Sequence, residues 1–238
     1  MLKLIMEDEE NNGENAKFCK VILLGDKGVG KTSIISRFIN DTFDYFETPL
    51  WSGEYWKEMI FKDYKNQVVK FDIWYSAGQE RYRSLPKIFF KEVDIAILVY
   101  DITSKNSFEE VAYWYEQLKN NAPKNVVIGL AGNKSDLFDE KTVSEEKARN
   151  FSKEIGAIFK FTSARTSVGV LELFACLGCK FLDPNYKEDE NKKPAVEKVE
   201  ERNTPPTEVE TKEQNNKDRQ SIKLDKKISL KKKKKKCC

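Results

Sequence analysis

Apolar and polar positions along this chain follow two periods. Short apolar or β-branched runs at 18–24, 68–74, 95–100 and 126–131 have the length and composition of buried strands. Between them apolar residues recur at helical spacing. Phe108, Val111, Tyr115 and Leu118 share one helical face, and Val170, Phe174, Leu177 and Phe181 share another. Ser144 followed by Glu145 and Glu146 reads as a helix start, a capping hydroxyl before two acids that suit the positive end of the helix dipole. Residues 54–61 and 68–74, joined by a polar turn, predict an antiparallel pair. The other strands alternate with helices, which predicts an α/β fold: a mostly parallel sheet with helices on both faces.

That pattern spans 17–182 and fades on either side. Residues 1–16 read as an acidic arm carrying Glu7, Asp8, Glu9 and Glu10. Residues 183–238 hold four of the seven prolines, no aromatic after Tyr186 and few aliphatics, so they are expected to be a disordered tail. No run approaches the roughly 18 apolar residues of a membrane-spanning helix. Met1–Met6 is too short for a secretory signal, which predicts synthesis and residence in a reducing compartment.

Charge sharpens this division. The net charge of the 238 residues is only +3. From Pro184 onward, however, 17 Lys/Arg face 11 Asp/Glu, a net of +6, so the preceding residues carry −3. The stretch 220–238 alone carries +8. Histidine is absent, which excludes Ser-His-Asp and Cys-His nucleophile systems and imidazole-ligated zinc. Cys176 and Cys179 have CxxC spacing but fall on an apolar helical segment. Without further ligands they read as small buried hydrophobes, as does Cys19.

The densest chemistry begins where the first strand ends. Gly25-Asp26-Lys27-Gly28-Val29-Gly30-Lys31-Thr32 matches GxxxxGK[ST] between a strand and a helical segment that starts at Ser33. Glycines let successive amides turn toward an anion, Lys31 supplies a positive charge, and the helix N-terminus adds its dipole. Thr32 offers a hydroxyl to Mg²⁺. Further on, Asn133-Lys134-Ser135-Asp136 and Thr162-Ser163-Ala164-Arg165 each follow a strand, at the carboxyl ends where open α/β sheets bind ligands. The Asp136 carboxylate suits the paired N1 and N2 donors of guanine, which adenine lacks.

With these motifs in this order, the chain resembles a small GTPase of the Ras superfamily, and within it the Rab family. Trp74-Tyr-Ser-Ala-Gly-Gln-Glu80 resembles WDTAGQE, and Arg81-Tyr82-Arg83-Ser84-Leu85 and Leu98-Val99-Tyr100-Asp101-Ile102-Thr103 resemble further Rab segments. The resemblance implies a P-loop NTPase fold with a six-stranded sheet and five helices, GTP/GDP exchange, Mg²⁺, and vesicle-traffic effectors acting through the switch regions. It also implies exchange, escort and membrane-extraction proteins as partners. It assigns nucleotide contacts to Gly25–Ser33, Phe43 (stacked on guanine), Gly78, Asn133, Lys134, Asp136, Ser163, Ala164 and Arg165, and water orientation to Gln79. Tyr55, Trp74 and Phe89 correspond to an effector-reading aromatic triad, or else to ordinary core packing. The acidic body argues against nucleic acid as a partner.

Departures from the family pattern are as informative. The acid that supports Mg²⁺ through water falls on Tyr75, and Asp72, three residues earlier on a strand, points to the opposite face. The metal-binding threonine of the first switch falls on Leu50, while Thr48, before Pro49, needs a two-residue shift to replace it. Lys27 occupies a usually small position, where it either crowds the γ-phosphate and an arginine finger or stands in as a cation. These residues predict weakened Mg²⁺ binding and slow GTP hydrolysis in a switch; taken alone, Tyr75, Leu50 and Lys27 favour the alternative, a GTPase-like adaptor that recruits partners without useful turnover. Lys231–Lys236 followed by Cys237-Cys238 reads as a two-signal membrane anchor, a lysine run beside a Rab-type prenylation end. That ending predicts a place on the cytoplasmic face of an intracellular membrane.

Overall fold

The computed structural model describes residues 16–44, 55–74, 85–189 and 192–199. In these the chain runs β1 (Lys17–Leu24), α1 (Lys31–Asn40), β2 (Tyr55–Phe61), β3 (Gln67–Trp74), α2 (Lys87–Phe90), β4 (Ile95–Asp101), α3 (Lys105–Asn121), β5 (Val127–Asn133), α4 (Glu145–Glu154), β6 (Ile158–Phe161), α5 (Val170–Leu182) and β7 (Val196–Lys198). The sheet order is β6-β5-β4-β1-β3-β2-β7. Strands β1, β3, β4, β5 and β6 are parallel, and β2 pairs antiparallel with β3.

Period-two alternation sorts β1 between two cores. Cys19, Val21 and Leu23 face the side covered by α1 and α5, where Ile34, Phe38 and Phe174 pack on Phe71. Ile22 and Leu24 face the side covered by α3, with Leu98, Tyr100, Phe108, Val111 and Trp114. Phe38 stacks on Phe174 with ring centroids 3.6 Å apart, and Phe71 meets both rings edge-on. The helix start read at Ser144 is present: its hydroxyl accepts from the Lys147 amide at 3.2 Å, with Glu145 and Glu146 in the first turn. Cys19, Cys176 and Cys179 are buried, and burial raises all three thiols, Cys179 to about 12. They are packing residues, as their apolar neighbours suggest.

One expectation is corrected. The sheet has seven strands rather than six, and the seventh comes from the segment read as disordered tail. Helix α5 does end at Leu182, but residues 183–189 and 192–199 pack back on the body. Tyr186 and Val196 lie against the α1/α5 core, and β7 pairs with β2. Average composition misses this because two apolar anchors and a free strand edge suffice to order a short segment that is otherwise polar.

Candidate nucleotide site

Four parallel strands deliver their carboxyl ends to one edge of the sheet. Leu24 pairs with Leu98, Asp101 with Asn133, and Gly132 with Phe161, so the loops after β1, β4, β5 and β6 converge. In the first loop Gly25, Gly28 and Gly30 have φ of +149°, +75° and +93°. A β-carbon at Gly30 would sit 2.3 Å from Asn133 Nδ2, so both conformation and space require glycine there. Lys31 is only 5% exposed, and its Nζ donates to the carbonyls of Gly25 (3.0 Å) and Asp26 (2.8 Å). A buried ammonium folded back under a loop of positive-φ glycines fits a phosphate group. The Lys27 amide donates to Asp26 Oδ1 at 2.7 Å, and Thr32 and Ser33 open α1.

Asn133 ties the loops together. Its Nδ2 donates to the Val29 carbonyl at 2.8 Å, and its Oδ1 accepts from the fully buried Thr162 hydroxyl at 3.2 Å. Ser163 donates to Asp136 Oδ1 at 2.6 Å, and the Arg165 guanidinium lies 3.8 Å from Oδ2. Each carboxylate oxygen keeps a lone pair after these contacts, so Asp136 retains capacity for a second pair of donors such as guanine N1–H and N2–H. Ala164 is buried beside it. Phe43 is half-buried against the α1/α5 core.

Two positioning residues, Asp101 and Arg37, carry no role that the sequence motifs assign. Asp101, 8% exposed, accepts from Lys134 Nζ at 2.6 Å and from the Thr103 amide and hydroxyl at 2.8 and 2.7 Å. Burial pushes its carboxyl up, but these hydrogen bonds outweigh that and hold it below the usual carboxylate range. Lys134, at φ +64°, is thereby aimed back toward β4. On α1, Arg37 donates from Nε to the Ala164 carbonyl at 2.8 Å and from a terminal nitrogen to the Arg165 carbonyl at 3.2 Å. Its position in the last helical turn beside Asp41 was the only sequence signal, since its partners lie 127 and 128 residues away.

Gly78, Gln79, Thr48, Leu50, Tyr75, Cys237 and Cys238 lie outside the described residues. The three aromatic positions are not gathered on one face. Phe89 is buried in the α3-side core, Tyr55 packs on the α1/α5 side opposite Ile73, and Trp74 projects from the other face, 40% exposed with Lys20 Nζ 3.8 Å from its ring. Among the described residues no group of three or more His, Cys, Asp or Glu side chains is placed to hold a metal.

The Ras family matches this chain over residues 20–183. Human Ras-related protein Rab-22A is 41% identical over 155 residues, covering 65% of this chain and 79% of the relative. Human Rab-31 is 39% identical over 168 residues (70% and 85%), and Arabidopsis thaliana RABF2b 38% over 162 residues (68% and 80%). The protein belongs to the Rab family of small GTPases.

As a Rab it is a GTP-binding switch of vesicle traffic; members of the family in general work with effectors and exchange factors and are typically associated with intracellular membranes. Rab proteins bind GTP or GDP with Mg²⁺ and hydrolyse GTP, the ion supplying charge stabilisation at the phosphates. The residues present fit the nucleotide. Lys31 and the glycine loop suit the phosphates, and Asp136, oriented by Ser163, suits the base. Asn133 holds the two halves of this cradle at a fixed spacing. No helix among the described residues is long and apolar enough to cross a membrane.

Proposed function

We propose that this Rab is a lipid-anchored switch with weakened Mg²⁺ binding and slow intrinsic GTP hydrolysis. The observation that carries this reading is the placement of Asp72. It pairs in register with Lys20, five residues before the phosphate loop begins at Gly25, a distance of about 16 Å along the strand. Its Oδ2 accepts from Trp74 Nε1 at 2.8 Å, on the face away from the α1/α5 core. Asp72 therefore does not replace the carboxylate lost at Tyr75, and a divalent cation beside the phosphates lacks one negative neighbour. With Leu50 at the other switch position, Thr32 carries more of the metal unless a two-residue shift lets Thr48 substitute. Gln79 remains to orient water, but positioning water without a firmly held cation leaves phosphoryl transfer slow.

In this reading Gly25–Ser33 hold the phosphates. Asn133, Lys134, Asp136 and Ser163–Arg165 read guanine, Phe43 stacks on it, and Gly78 approaches the terminal phosphate. Geranylgeranyl groups on Cys237 and Cys238, with the lysine run, hold the protein on the membrane. Effectors engage the switch regions, and escort and extraction proteins handle the lipidated end.

The nucleotide content of purified protein, measured with and without EDTA, tests the metal claim. Tyr75→Asp is expected to slow nucleotide release in Mg²⁺ by about tenfold or more, the effect of one carboxylate near the ion. An unmodified protein whose release already slows in Mg²⁺ as much as that of Tyr75→Asp would refute it. Tight nucleotide retention with no turnover in either protein identifies the adaptor instead.

A further inference from the structure

The segment after α5 is fixed to the body at several points. Lys180 Nζ donates to the carbonyls of Pro184 (2.5 Å) and Tyr186 (3.1 Å). Lys160, on β6, is bridged by Glu172 at 2.5 Å and by Glu188 of the returning chain. Lys192 lies 3.8 Å from Asp63, and Lys193 3.5 Å from Glu172. The chain then joins the sheet: Val196 pairs with Phe61, Glu197 with Ile60, and Lys198 with Met59.

The register reveals what this edge selects. The Lys62 amide donates to the Ala195 carbonyl at 3.0 Å, so 62/195 and 60/197 are the hydrogen-bonded pairs of an antiparallel ladder. Val196, on the alternate face, is partly buried against the core beside Phe61. Glu197, on the outer face, meets Lys62 at 3.1 Å. Three paired residues with one apolar anchor and one exposed ion pair form a short ladder, and short ladders open readily. A lone β2 edge, by contrast, would present unpaired backbone groups on a strand that includes Trp56, Met59, Ile60 and Phe61.

We infer that the β2 edge is a strand-addition surface whose resident occupant is this chain's own segment 192–199, a releasable strap that resites the tail. With the strap closed, the 39 residues from Glu200 to Cys238 start from the β2 edge rather than from the end of α5. Because β7 runs antiparallel to β2, Val199 arrives beside Glu58, heading toward the nucleotide end of the sheet. An extended partner segment with a small apolar residue opposite Phe61 and a carboxylate facing Lys62 competes for the same edge.

Glu197→Pro in the full chain tests this by deleting the amide donor of the 60/197 pair. Hydrogen exchange at the Ile60, Lys62 and Val199 amides is expected to accelerate by about tenfold or more, while nucleotide content and exchange in the phosphate loop stay unchanged. A labelled peptide of residues 192–200 is then expected to bind Glu197→Pro, by fluorescence anisotropy, at least about tenfold more tightly than the unsubstituted protein. Equal exchange in the two proteins, or a peptide that binds both equally or neither, overturns the proposal. The nucleotide measurement separates this outcome from failure of the switch itself.

Discussion

Asp101 shows how a single charge organises the base-reading loop. Its carboxyl titrates below the ordinary range because Lys134 and Thr103 stabilise the ionised form more than burial penalises it. A depressed folded value gives stability that is complete above the unfolded pKa, near 3.9, and lost as pH falls through the folded value. The unfolding free energy is therefore expected to decline with acidification below about pH 4, and less steeply in Asp101→Asn. At neutral pH that variant is expected to be about 1–3 kcal/mol less stable, since Lys134 loses a charged acceptor. Denaturant titrations at neutral and acid pH check both. This residue stands in plain sight in the Leu98–Thr103 segment, but nothing local announces its role. Lys134 is 33 positions away, and only the parallel register of β4 and β5 sets Asp101 beside Asn133. The phosphate-loop residues were legible because their glycines encode backbone conformation directly.

At the scale of elements, α5 turns a glycine toward aromatic rings of β2 and β3. Gly178 faces Phe61 and Phe71, and a β-carbon there would fall 2.2 Å from Phe61 Cζ. Alanine is the better helix former by about 1 kcal/mol, but here it must push a fully buried ring. Overpacking of this kind costs about 1–3 kcal/mol, so Gly178→Ala is expected to destabilise despite its propensity. A lowered thermal midpoint with intact nucleotide content is the readout. The elements themselves were well marked, because β1 is a short continuous apolar run of the kind buried on both faces and α3 carries its apolar residues on one face. What the pattern hid was β7: Val196-Glu197-Lys198 is too short for periodicity to register, and its strand character comes from the β2 edge it meets.

For the whole molecule, charge divides between an acidic body and a basic end. If the proposed anchor operates, replacing Cys237 and Cys238 with serine removes the lipid contribution and leaves the lysine run. Each lysine contributes about 1 kcal/mol at an anionic leaflet, and about 0.5 M salt screens most of it. The serine variant is expected to float with anionic vesicles at low salt and to be released at high salt, whereas the lipidated protein stays bound. Flotation at the two salt concentrations measures this. The sequence alone determined the α/β architecture, the phosphate loop and the Rab motifs, because each rests on local conformation or on period. It also exposed the substitutions at Leu50 and Tyr75. Only the tertiary structure decided that Asn133 spans two loops, that Arg37 holds Ala164 and Arg165, and that Asp72 is committed to Trp74. It also decided that part of the tail becomes a seventh strand. The bond from Trp74 to Asp72 is local, fixed by the two sharing one face of β3. The other contacts join residues far apart in the chain, and their free energy exists only once the sheet has set the register between them.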